Sequence, residues 1–255
     1  MTDFTADYAG ATVAPSPNHG ERLDVAGPDM IVLHYTGMNS ADGALSWLCN
    51  PESQVSSHYF IYEDGRVVQL VPESRRAWHA GKSFWHGVTD INSCSIGIEI
   101  ANSGHPAGLP DFPEPQIDAV IELCRDCGAR WSIAPERVLA HSDIAPVRKL
   151  DPGEKFPWDR LSQNGVGHWV SPGPIGGGRF FQRGDSGQPV EALQSMLSLY
   201  GYGVEISGEY CDKTEGAVTA FQRHFRPSLV DGIADFSTID TLHRLISSLP
   251  KFQGA

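Results

Sequence analysis

The chain has no run of apolar residues long enough to cross a bilayer, so no membrane-spanning helix is expected. Its first ten residues, MTDFTADYAG, hold no basic residue and no apolar run, and Arg22 is the first Lys or Arg, so a secretion signal is not expected either. Cations are scarce throughout. Against 31 Asp and Glu stand 19 Lys and Arg, a formal charge of −12, which argues against nucleic acid as a partner and leaves any acidic ligand to local basic groups. Cysteine is scarce and odd in number. Cys49, Cys94, Cys124, Cys127 and Cys211 follow no framework spacing, which argues against disulfide stapling and for a reducing compartment. A cytoplasmic protein is therefore expected, with the periplasm as the alternative if a leader has been removed. Cys124 and Cys127 form a CxxC inside a helical pattern and no second pair follows, so they read as packing thiols rather than a zinc knuckle or a redox pair.

What is there is a globular composition, 40% hydrophobic and 20% charged, unevenly divided along the chain. Residues 1–29, rich in Pro, Gly, Ser and Asn, read as an irregular lead-in. A short buried strand follows at 30–34, then a helix at 41–49 stopped by Asn50-Pro51. Residues 57–62 and 66–71 predict a hairpin around Asp64-Gly65. A strand at 95–100, an amphipathic helix at 115–130 and a strand at 137–141 complete the series. Strands and helices interleave, which predicts the α/β class: a mixed β-sheet flanked by helices.

Residues 171–178, SPGPIGGG, read as a Gly/Pro linker between a first domain at 1–170 and a second at 179–255. Beyond the linker the apolar spacing is helical at 190–199, 214–225 and 238–249, which predicts a small all-α C-terminal domain. A weak repeat relates Ser207-Gly208 and Thr214 to Asp231-Gly232 and Thr238. In each copy Gly suits a tight turn and Thr a helix N-cap.

The densest chemistry lies at residues 140–153, AHSDIAPVRKLDPG, where His141 and Asp151 are both potential metal ligands. His34 ends its own predicted strand and is the candidate third ligand, because a catalytic zinc takes three protein ligands and leaves one position open. Hydrogen-bonded strand-end histidines would look the same in sequence. Glu99 stands apart: alternation in Ile96-Gly97-Ile98-Glu99-Ile100-Ala101 puts it between the two smallest side chains, on the face away from the isoleucines. A carboxylate there is either ion-paired or a general base facing an open site. Lys149, two residues before Asp151, is a surface lysine or an oxyanion donor.

These segments carry a resemblance. Ile31-Val-Leu-His34-Tyr-Thr, Ser57-His-Tyr-Phe-Ile, Trp78-His-Ala-Gly81, Ser95-Ile-Gly-Ile-Glu99-Ile and the stretch from Leu139 to Gly153 resemble the successive motifs of the zinc-dependent N-acetylmuramoyl-L-alanine amidases. That family shares its fold with peptidoglycan recognition proteins and phage amidase lysozymes. The resemblance implies Zn²⁺ on His34, His141 and Asp151, Glu99 as the catalytic glutamate and Lys149 as the catalytic lysine. It implies cleavage of the amide between N-acetylmuramic acid, or its 1,6-anhydro form, and L-alanine of the stem peptide, in peptidoglycan or in soluble muropeptides. The alternative is a recognition protein that binds peptidoglycan without cutting it; such members lack one or more ligands, whereas all are present here. The second domain resembles the three-helix peptidoglycan-binding module of wall hydrolases, departing from it at Cys211 and Asp235, where a second glycine is usual. His58, Arg75, Arg76, Trp78, His79, Asn102 and Arg148 are the candidates for lining the substrate cleft, the arginines to meet stem-peptide carboxylates. A monomer is expected.

Overall fold

The structure, a computed structural model, describes residues 4–178 and 180–252. Arg179 and the ends of both predicted domains, residues 1–3 and 253–255, lie outside the described residues. The lead-in is less irregular than expected: it holds β1 (Ala11–Val13) and β2 (His19–Glu21). Then follow β3 (Met30–Tyr35), α1 (Ala41–Leu48), β4 (Tyr59–Ile61), β5 (Val67–Gln69), β6 (Arg75–Ala77), α2 (Ile91–Cys94) and β7 (Ser95–Ile100). The chain continues with α3 (Glu114–Trp131), β8 (Val138–Ala140), α4 (His141–Ile144), α5 (Trp158–Gln163), α6 (Gln188–Tyr200), α7 (Asp212–Phe225) and α8 (Phe236–Ser247).

Six strands form one mixed sheet in the order β1-β5-β4-β7-β3-β8, and β2 pairs with β6 outside it. The predicted hairpin is the antiparallel β4–β5 pair, whereas β7 runs parallel to both β3 and β4. The runs Met30-Ile-Val-Leu and Ser95-Ile-Gly-Ile are buried on both faces, which suits strands at the centre of a covered sheet.

Alternation divides these strands between two environments. Ile31, Leu33, Ile96, Ile98 and Ile100 pack under α3 with Ile117, Val120, Cys124 and Cys127, so both cysteines of the CxxC are core thiols. Burial pushes the Cys124 thiol up to about 12, which keeps it protonated and unreactive. On the opposite face α1 covers one end, packing Ala44 and Leu48 against Phe60, Val68 and Leu70. At the other end Met30, Val32 and Leu139 share a continuous core with Val190, Leu193, Phe221 and Leu245 of the three C-terminal helices. The cleft-bearing face is thus bounded by α1 on one side and the helical module on the other.

The repeat in the module is visible in its polar bonding. Gln194 accepts from the amides of Ser207 and Gly208 and donates to Glu209 O and Thr214 Oγ1. Gln222 makes the same set with Asp231, Gly232, Ile233 and Thr238. Gly208 and Gly232 have φ of 74° and 72°, the turn conformation expected of them. The N-cap expectation needs correction. Cys211 and Asp235 occupy the N-cap positions, and Thr214 and Thr238 sit inside the first turn, where their hydroxyls answer the glutamines.

Candidate active site

Three adjacent strands set the level of the site. His34 in β3 lies in register with Glu99 in β7, and Leu33 with Ala140, so His141 begins one step beyond the end of β8. His141 was expected to close its strand; instead it opens α4, which turns the chain away from the sheet edge. The turn at 145–149 returns the chain, with Arg148 N and Lys149 N both donating to Ala145 O, and Asp151 O then accepts Ser142 N at 3.0 Å. Asp151 is thereby brought back beside His141.

The three side chains converge. His34 Nδ1 lies 2.8 Å from His141 Nδ1 and 3.1 Å from Asp151 Oδ2, and His141 Nδ1 lies 2.9 Å from the same oxygen. Among the described residues these three form a group able to hold a metal ion. The outer ring nitrogens decide what the inner ones carry. Ser95 Oγ donates to Ile91 O at 2.6 Å, so it accepts from His79 Nε2 at 3.1 Å; His79 Nδ1 is then free to accept His34 Nε2–H at 3.0 Å. His141 Nε2 donates to Ala80 O at 3.1 Å. Both Nδ1 atoms therefore present lone pairs to each other and to a carboxylate oxygen, with no proton among the three. Such a cluster of acceptors fits a cation. Burial, with the facing His141, holds the His34 imidazole down to about 4, which keeps it neutral. Burial opposes charge on Asp151, but His141 and His34 hold it well below the usual carboxylate range.

Glu99 stands at the floor of a cleft of about 760 Å³ that also takes in His79, His141, Arg148, Lys149 and Asp151, with Trp47, Trp78, Met38 and Val55 as apolar wall. Its Oε2 is shielded from solvent and has no hydrogen-bond partner. Burial, with the Asp151 charge behind it, pushes its carboxyl well above the ordinary range, while Lys149 pulls the other way. The ion-pair alternative is not realised: Glu99 forms no salt bridge among the described residues.

Several sequence candidates do not reach the cleft. His58 is fully buried, its Nδ1 accepting from Gly97 N and its Nε2 bonded to Arg75 O. Burial and the adjacent Arg22 lower it to about 3, so it is a neutral strand-to-strand brace. Arg75 pairs with Glu21 and Arg76 with Asp90, and neither lines the cleft. Asn102 is buried, donating to Pro110 O and accepting from Gly104 N, and so shapes a loop. Trp78 and Arg148 do line the cleft, although the Arg148 guanidinium is tied to the carbonyls of Ala80 and Lys82.

His79 lines the cleft too, but its ring is engaged with His34 and Ser95. A Cβ at Gly97 would lie 2.4 Å from the His79 ring, so glycine is required there for close approach. Sequence reasoning missed Ser95 and also Asn92, whose Oδ1 accepts the amides of both His79 and Ala80. Nothing in their spacing could have revealed either, because each acts across loops.

A mixed sheet bearing two histidines, an aspartate and an unpaired glutamate around one cleft defines a hydrolytic enzyme with a metal-binding site. The comparisons are specific. Residues 24–154 match the N-acetylmuramoyl-L-alanine amidase family and residues 186–242 a putative peptidoglycan binding domain, and the chain belongs to that amidase family. It is 42% identical over 223 residues to N-acetylmuramoyl-L-alanine amidase AmiD of Escherichia coli, covering 82% of this chain and 79% of the relative. The solved AmiD complex with anhydro-N-acetylmuramic acid-L-Ala-D-gamma-Glu-L-Lys superposes with a TM-score of 0.74, at 37% identity, over 89% of this chain and 92% of that one. The Pseudomonas aeruginosa AMPDH3 complex with anhydromuramic pentapeptide gives 0.68 at 28% identity, over 94% of this chain and 97% of that one.

Proposed function

We propose that the protein hydrolyses the amide bond between N-acetylmuramic acid, or its 1,6-anhydro form, and L-alanine of the stem peptide, in cell-wall turnover or recycling. The observation that carries this reading is the juxtaposition of an unpaired Glu99 with the proton-free donor cluster of His34, His141 and Asp151. These three residues would hold Zn²⁺, whose neutral-imidazole and carboxylate preferences they meet. When bound, zinc supplies Lewis acidity toward the lactyl carbonyl and a lower pKa for water.

Glu99 accepts the proton of the attacking water as the C–O bond forms, and delivers it to the departing amine as the tetrahedral oxyanion collapses and the C–N bond breaks. Burial raises its carboxyl above the ordinary range, which strengthens it as a base relative to a solvated carboxylate. Lys149 offers its ammonium to the oxyanion, and Trp47 and Trp78 give the cleft apolar surface for a sugar or stem-peptide side chain. The peptides bound in the AmiD and AMPDH3 complexes support a soluble anhydro-muropeptide as substrate.

Mass spectrometry of digested muropeptides tests the assignment. Release of an intact stem peptide beginning with L-alanine, abolished by EDTA and restored by zinc, is the expected result. Cleavage within the peptide, or loss of acetate, would sink it. Fractionation of the host then decides between cytoplasmic recycling and periplasmic wall turnover.

A further inference from the structure

The segment that supplies two of the metal donors is held from outside its own domain. Asp143, two residues after His141, is fully buried. Its Oδ2 accepts from Ala140 N at 2.8 Å and from His224 Nδ1 at 2.6 Å, and its Oδ1 accepts the Tyr202 hydroxyl at 2.6 Å. Ala140 N belongs to the residue preceding His141, whereas Tyr202 and His224 belong to the helical module. The His224 ring is clamped in turn, stacked on Trp158 with centroids 3.7 Å apart and on Phe225 at 3.8 Å.

The far end of the segment meets the module through an ion pair. Arg223 lies 3.5 Å from Glu154, three residues beyond Asp151, and Glu154 also pairs with His105, which bonds Tyr35 in the cleft wall. Consecutive residues of α7 therefore grip both ends of residues 141–154. Between them the α7 backbone packs on the Val147 side chain: a Cβ at Gly216 would meet Val147 Cγ2 at 2.9 Å. The contact continues where a Cβ at Gly201 would lie 2.5 Å from Trp85 and one at Gly203 2.7 Å from Phe84. An arm free to swing on a linker would not hold its backbone this close to the side chains of Val147, Trp85 and Phe84.

We propose that the helical module is a positioning element of the metal-binding segment, with Tyr202 and His224 holding Asp143 so that Asp143 in turn holds the Ala140–His141 backbone. A carboxylate without solvent keeps one orientation only while its donors stay in place. Two of its three side-chain or amide donors come from the module. Removing the Tyr202 hydroxyl leaves Oδ1 unpaired and removing His224 leaves Oδ2 on Ala140 N alone, so in either case the side chain that caps the start of α4 is less firmly held, with His141 beside it. The proposal rests on the reading of His34, His141 and Asp151 as the zinc site.

The test uses the full chain and three readouts: zinc dissociation constant by competition with a chromophoric chelator, unfolding temperature of the zinc-free protein, and KM and kcat on a muropeptide. Tyr202→Phe keeps the ring and removes the donor; His224→Ala removes ring and donor, and His224→Asn restores a donor near the Nδ1 position. We expect Tyr202→Phe and His224→Ala to weaken zinc binding about tenfold and to lower kcat with little change in KM, and His224→Asn to recover part of the zinc affinity. Val190→Ala, at a core residue of the module that is not a hydrogen-bond partner of Asp143, is the control and should lower the unfolding temperature with zinc affinity unchanged. If the Asp143 partners can be removed with zinc affinity intact, or if Val190→Ala weakens zinc as much as they do, the positioning role is overturned. If the unsubstituted chain itself takes up no zinc, the site reading falls, and this proposal with it.

Discussion

His34 and Glu99 face each other in register on the parallel strands β3 and β7, so the proposed metal ligand and the proposed general base are set by one backbone ladder. Their side chains share the face that Ile31, Leu33, Ile98 and Ile100 leave free, because those four are committed to the core under α3. A register slip of one residue would send both into that core.

Glu99→Gln separates chemistry from metal holding. Turnover should fall ~100-fold or more while zinc binding persists. The same substitution should stabilise the zinc-free protein by roughly 1–3 kcal/mol at neutral pH, since it removes the charge from a half-buried carboxylate with one buried, unpartnered oxygen. The sign follows from the raised folded pKa: protonated Glu99 favours folding at low pH, and that contribution is lost as pH rises through its folded value. The stability gain should therefore vanish below pH ~4.5, where Glu99 is protonated in both states. Urea titrations at pH 4 and pH 7.5 measure it, and a gain that persists at pH 4 would contradict the assignment.

His79→Ala should weaken zinc about 10- to 100-fold with the three ligands untouched, because His34 loses the acceptor that keeps its proton on Nε2. His34 Nδ1 would then be protonated in part of the molecules. Chelator competition reads the loss, and an unchanged dissociation constant would show the His79 bond to be incidental.

Gly97→Ala tests the same contact from the other side. Its new methyl would overlap the His79 ring, so we expect about 1–3 kcal/mol of destabilisation together with weakened zinc. Full zinc affinity in a stably folded Gly97→Ala chain would mean that the ring can move without consequence.

Acid should destabilise the zinc-free protein early. Burial lowers His58 to about 3 and His34 to about 4, against 6.5 in the unfolded chain. The unfolded state then binds more protons between those values, so stability present above pH 6.5 is lost as pH falls toward 4. The loss should reach the order of 3 kcal/mol for each of the two histidines by pH 4. Stability that stayed flat from pH 7 to pH 5 in fluorescence-monitored unfolding would argue that these histidines are solvated.

Local pattern alone determined the strands at 30–34 and 95–100, the long helix of α3, the three module helices and the outward face of Glu99. Period and turn chemistry act within a few residues, so one sequence is enough to read them. The donor set His34, His141 and Asp151 was legible through its motif context. Whether three such residues meet, however, depends on strand order, and the β7-β3-β8 adjacency is a property of the whole sheet.

Tertiary structure decided the rest. His58, Arg75, Arg76 and Asn102 have side chains suited to a cleft, yet each is occupied elsewhere by a partner far along the chain or across a loop. His79 turns from a wall residue into the support of His34 because Gly97 leaves it room and Ser95 accepts its proton. Likewise the Gly/Pro stretch at 171–178 reads as a linker between two domains, and only the fold shows Asp143 buried between Tyr202 and His224. Linker composition reports the stiffness of a tether, whereas the burial of one carboxylate by donors about 60 and 80 residues away is a consequence of packing that no local pattern encodes.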